Sequence, residues 1–178
     1  MRIRSVFFLF IGATISVSAQ SPDSVQRVAI KKLDWWVGQW KGEAWTSMGP
    51  GRRDTTNMVE TIRKNLDATI ILIEGLGRRK MPQMVEGEIV HHAFAVLSYD
   101  EKRKSYRWQS WRIPGGVYNE TEPAVTEQSF QWSMETPRGK IRYTATLNEK
   151  GEWEEIGGFS TDGQTWRPFF GMLLRRMD

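Results

Sequence analysis

The chain has no cysteine, only two histidines, and no apolar run long enough to cross a bilayer as a helix. Without cysteine no disulfide framework exists, and the lipid-anchored export route that modifies a cysteine just after the leader is closed. The histidines, His91 and His92, are sequence neighbours. Adjacent side chains on a strand point to opposite faces, so at most one of them can face an interior. A His-Glu-x-x-His motif and a Gly-x-Ser-x-Gly elbow are both missing. Hence no metal site and no catalytic triad is expected, and both histidines read as surface or hydrogen-bonded structural groups. The longest apolar run, residues 6–15, falls well short of the roughly 20 residues a spanning helix needs. No membrane span is expected.

Charge of one sign is also scarce. The sequence has 25 Lys and Arg against 21 Asp and Glu, a formal net charge of +4. Two of the basic residues, Arg2 and Arg4, lie at the extreme N-terminus, so the rest of the chain carries a formal +2. The basic clusters at 78–80, 102–104 and 175–176 are short and read as solvated turns, and no nucleic acid is expected as a partner.

What is present begins with a leader. Arg2 and Arg4 precede the apolar run, and Val17-Ser18-Ala19 supplies small residues at the cleavage positions, the pattern of a secretory signal peptide over residues 1–19. Residues 20–178 then form one exported domain, periplasmic or extracellular, long enough to bury a core without staples.

The stretch Leu33 to Gly42 divides two periodicities. Before it, Ser24 is a candidate N-cap, and Val25, Val28 or Ala29, Leu33 and Trp36 recur at helical spacing, which predicts a helix of about three turns ended by Gly38. After it, turn signals recur every eight to fourteen residues. The strand candidates are 39–47, 53–65, 69–77, 87–99, 105–112, 116–124, 127–135, 140–147, 152–159 and 165–176. Connections so short join antiparallel neighbours. Alternation is plain where Phe130, Trp132 and Met134 interleave with Ser129, Gln131 and Ser133. An all-β fold follows: a single antiparallel up-and-down barrel of about ten strands with one short N-terminal helix, since closure removes exposed edges. A two-sheet sandwich is the alternative.

Those residues resemble a family. Leu33 to Gly42, with its Gly38-Gln39-Trp40-Lys41-Gly42 core, is similar to the opening Gly-x-Trp-x-Gly motif of calycin barrels, the superfamily of lipocalins and fatty-acid-binding proteins. Together with Glu60 to Asp67 running into Ile71 to Gly75, Leu97 to Asp100, and Gly151 to Glu155 leading to Ser160 to Trp166, it resembles a bacterial lipocalin-like group known as domain of unknown function 1579. The resemblance spans about residues 30–176 and implies a fold without an activity. It also implies that Trp40 closes the narrow end of the barrel, with an arginine of the last strand, Arg167 or Arg175, stacked over it. Gly38, Trp40 and Arg175 therefore form the expected barrel base. A related calycin group binds haem through a histidine near its last strand; residues 165–178 contain no histidine, so no haem is expected.

Candidate ligand contacts are charged or aromatic residues on strands. Glu60, Glu74 and Glu155 sit among apolar residues, and an inward carboxyl would have a raised pKa and could bind or donate to a polar group. The bland alternative is an outward carboxylate paired with a cation across the strand, worth about 0–1 kcal/mol. Arg63, Arg107 and Arg112 are the complementary cations, and Trp108 and Trp111 have opposite strand parity. Most of the nine tryptophans belong in the core, each worth roughly 4–6 kcal/mol at most on burial. The Asn119-Glu120-Thr121 sequon is discounted because the resemblance is to bacterial proteins. The expected lining is Glu60, Glu74, Arg107 and Trp111, around a small hydrophobic or amphipathic molecule. Two rivals stay open: an enzyme using an inward glutamate as general acid or base, and a solidly filled barrel acting as a structural or interaction module.

Overall fold

The computed structural model describes residues 23–81 and 87–177. The expected signal peptide over 1–19 lies outside the described residues. Helix α1 (Ser24–Lys31) precedes eleven strands: β1 (Gly38–Ser47), β2 (Arg53–Asn65), β3 (Ile70–Arg79), β4 (Ile89–Asp100), β5 (Ser105–Ile113), β6 (Val117–Thr121), β7 (Ala124–Val125), β8 (Ser129–Thr136), β9 (Gly139–Leu147), β10 (Trp153–Ser160) and β11 (Arg167–Arg176). They form one antiparallel sheet in the order β6-β5-β4-β3-β2-β1-β11-β10-β9-β8-β7, curled into a half-barrel. Its edges are β6 and β7, joined by Glu122-Pro123, and β6 also touches β8.

Four expectations are corrected. The single strand expected over 116–124 is split, because Pro123 has no N–H to give a ladder and Gly115 and Gly116 take φ values of +106° and +56° in the turn before Val117. The helix is also shorter than three turns. It stops at Lys31, and the chain continues through i→i−3 bonds from Leu33 to Ile30, Asp34 to Lys31 and Trp36 to Leu33. Leu33 and Trp36 are buried as their spacing predicts, but in tight turns. Asp23, not Ser24, is the N-cap, and its side chain makes no capping bond. Gly38 does not end the helix either. It is the first residue of β1 at φ +144°, where a Cβ would fall 2.2 Å from Arg176 Nη1.

Alternation divides each strand between a concave and a convex face. On the concave face the ladder brings Trp40 beside Glu60 and Arg176, Ala44 beside Met172, and Trp153 beside Leu174. The core there is aromatic: Trp36 stacks on Phe130 with centroids 5.0 Å apart and meets Trp153 edge-on at 5.1 Å. Helix α1 packs on β3 and β4, buries Ala29 and Ile30, and accepts a 2.8 Å hydrogen bond from the Tyr106 hydroxyl at the Ala29 carbonyl. Arg27 ties it to Asp67 in the β2–β3 turn at 2.5 Å. That end of the half-barrel is plugged by α1, Leu33, Trp36 and Trp40, which leaves the far end for access.

Candidate functional site

The concave face encloses a cavity of about 440 Å³. Its inner wall includes Trp36, Trp108 and Trp153; Trp132, Tyr143 and Phe170 continue it outward, and His91, Arg112 and Val117 stand near the open end. Each wall residue is placed by ladder register. Tyr143 of β9 lies between Trp132 of β8 and Gly157 of β10, and stacks on Trp132 with centroids 4.8 Å apart. Gly157 makes that possible, because a Cβ there would sit 2.7 Å from the Tyr143 ring.

Two carboxyls face this space. Glu60 of β2 and Glu155 of β10 are each only 6% exposed. The Glu60 carboxyl lies over Gly75, its cross-strand neighbour on β3, where a Cβ would come within 2.4 Å of Oε1. Burial pushes the Glu60 pKa up to about 8, and the charge of Glu155 adds to the rise. Burial raises Glu155 to about 8 as well, with the Trp153 indole beside it acting in the opposite direction. Among the described residues neither carboxyl has a cation within ion-pair distance. Buried acids without a cation are held neutral, because the charged form loses its hydration with nothing to replace it.

Two neighbouring titratable groups on the wall, His91 and Tyr143, are also neutral near pH 7. His91 is pushed down to about 4 by burial, then by Arg112 and His92. Tyr143 is pushed up to about 12, first by burial and then by Glu155. Arg112 is exposed. The buried indole N–H of Trp108 and the side-chain amide of Asn119 have no hydrogen-bond partner among the described residues, so the wall also offers donors.

Of the four expected lining residues, Glu60 is on the wall. Glu74 and Arg107 are not, because Ile73 and Trp108 take the inward positions beside them. Glu74 projects from the convex face, half-exposed, with His92 Nε2 3.7 Å away. Arg107 projects outward too, pairing with Glu120 and, at 3.8 Å, with Glu122. Trp111 borders the cavity, but its position alternates with inward Trp108 and Ser110, and its ring meets Phe94 and Tyr118 on the convex side at 6.3 and 5.4 Å. The barrel base needs one correction. Arg176, not Arg175 or Arg167, lies over Trp40, its guanidinium carbon 4.2 Å from the ring centroid, because Trp40 pairs with Arg176 in the β1–β11 ladder. Arg175 faces the other way and donates to Glu152 Oε1 at 2.7 Å, holding that carboxyl below its ordinary range. His91, Tyr143 and Asn119 are wall residues outside the expected lining, and of the three candidate cations Arg63, Arg107 and Arg112 it is Arg112 that reaches the wall. Alternation keeps Tyr143 in phase with Ala145 and Arg112 in phase with Trp108, and the folded sheet shows those phases to be the inward ones.

No protein-family model and no curated protein matches this sequence. The crystal structure of Rv2717c from M. tuberculosis is similar in fold, with a TM-score of 0.59 at 12% identity over 84% of this chain and 98% of that one. The likeness is one of fold alone, an all-β barrel-like sheet.

Proposed function

We propose that this protein is an exported, calycin-like barrel of the lipocalin-like type that holds a small apolar or amphipathic molecule in its interior. The observation that carries the reading is the cavity: about 440 Å³ of space, walled by aromatic side chains and containing two buried carboxyls that have no cationic partner among the described residues. That volume falls within the roughly 300–1,000 Å³ of small-molecule sites, and a wall mostly apolar with a few placed polar groups is their usual chemistry. The open volume counts against a barrel filled by its own side chains.

Wall tryptophans give a direct readout. Titration with a panel of fatty acids, retinoids and aromatic amines is expected to change tryptophan emission saturably for at least one of them. The Ala93→Phe variant, which puts a ring into the cavity wall from β4, is expected to lose that response while keeping the thermal transition of the native protein. An identical response in both proteins would move the binding elsewhere.

A second reading has its own observation. Glu155 shares the cavity with Tyr143, and a carboxyl that titrates near neutral pH is suited to general acid or base work. An enzyme that isomerises or hydrolyses a bound molecule would use it, and would lose turnover but not binding in Glu155→Gln.

A further inference from the structure

Glu60 and Glu155 reach one cavity from strands on opposite sides of β1 and β11, so the fold brings two acids together rather than placing one. When ionised, a carboxylate can only accept hydrogen bonds, and two of them offer about eight lone-pair sites to donors. Among the described residues no lysine or arginine lies within ion-pair distance of either acid. Arg176 stacks on Trp40 and donates to the carbonyls of Val37 and Trp35, and Arg175 holds Glu152. Arg112 lines the outer part of the same cavity, is exposed, and pairs with neither acid. The walls beside the acids are ring faces, those of Trp36, Trp108, Trp132 and Tyr143, and aromatic faces attract cations.

We infer that the interior site takes an organic cation, a protonated primary or secondary amine on an aromatic or apolar body, with its N–H groups donating to Glu60 and Glu155 and its body against the tryptophan walls. The inference rests on the reading of the cavity as a binding site and adds the class of its ligand. Proton bookkeeping gives it a signature. The free pair is protonated at neutral pH, and an entering ammonium group needs at least one carboxylate, so one proton leaves the pair for solvent as the amine binds. The titratable and charged groups that line the cavity with the pair are His91 of β4, Arg112 of β5 and Tyr143 of β9. Near neutral pH His91 and Tyr143 stay uncharged, and a guanidinium does not give up its proton in this range, so the proton released comes from the glutamates.

Calorimetric titration of the whole protein with three probes of one shape, tryptamine, tryptophol and indolepropionate, tests this. Tryptamine is expected to bind at least about tenfold more tightly than the other two and to release about one proton near pH 7, read from the dependence of the heat on buffer ionisation. Its affinity is expected to rise about tenfold per pH unit from pH 6 to 7. The E60Q/E155Q double variant is expected to lose the preference for tryptamine over tryptophol. If tryptophol or indolepropionate binds as tightly as tryptamine, the cation assignment is overturned and the cavity remains a binding site. If none of the three binds, the cavity reading goes with it. Should the double variant not fold, the ranking of the three probes and the proton count in the unmodified protein still decide.

Discussion

Replacing Trp40 with alanine is expected to lower stability by about 3–5 kcal/mol and to leave ligand affinity close to unchanged. Trp40 is fully buried, donates from Nε1 to the Trp36 carbonyl at 2.9 Å and meets Trp153 edge-on with centroids 6.0 Å apart. Its ring also seats the Arg176 guanidinium, which holds the carbonyls of Trp35 and Val37 and so joins the N-terminal plug to the last strand. Removing the indole leaves a large void, a buried carbonyl without its donor and an arginine without its platform. The surrounding sheet is held by ladders on both sides and cannot collapse into the gap, so the cost falls at the upper end of aromatic truncations. Trp40 is not among the cavity wall residues, which is why binding should survive. Urea unfolding read by circular dichroism checks the first half, through a lower midpoint with an unchanged slope. A Trp40→Ala protein as stable as its parent but unable to bind would make Trp40 a ligand contact instead of a structural one.

The second large effect is a loss of stability as pH rises toward 8. A carboxyl ordinarily near 4.5 that titrates at about 8 in the folded protein binds more protons folded than unfolded between those values. Its contribution is therefore fully present below about pH 4.5 and is lost as pH rises through about 8, at up to about 1.4 kcal/mol per pH unit for each group. His91 runs the other way. Its folded pKa is depressed from 6.5 to about 4, so its contribution is present above about pH 6.5 and lost as pH falls through 4. The two trends oppose each other in mild acid, and the window from about pH 6.5 to 8 belongs to the glutamates. Thermal unfolding across that window is expected to show a falling midpoint, about 2–4 kcal/mol in all, and the E60Q/E155Q variant a flat one. A flat profile in the unmodified protein would mean that water or another group already solvates the pair.

How much of this was legible in the sequence follows from what one-dimensional patterns contain. Turn chemistry and alternation placed β2 at residues 53–65 and brought the other long strands within one or two residues, because Gly, Pro and Asx clusters act locally. The split at Pro123 was also visible in principle, since a proline inside a run argues against a continuous ladder. Strand parity was not legible. In β3 the run Ile70-Ile71-Leu72-Ile73 is apolar on both faces, so nothing in it says that Ile71 and Ile73 turn inward and Glu74 outward. The same ambiguity misdirected Arg107, which is fixed outward only by the burial of its neighbours Tyr106 and Trp108. Inter-strand register was likewise hidden. A shift of one residue in the β1–β11 ladder separates Arg176 over Trp40 from Arg175 over Trp40, and no local signal carries that information. The meeting of Glu60 with Glu155 depends on both parity and register, and so emerges only when the sheet curls.

The central claim is that the cavity holds a guest. Native mass spectrometry of protein purified gently from its own host, with the unmodified chain and Ala93→Phe handled in parallel, tests it most directly. The account predicts a population of unmodified protein carrying one small-molecule mass that collisional activation releases, and an empty Ala93→Phe. Protein recovered empty in every preparation, or the same adduct retained by the variant with the filled cavity, would contradict it.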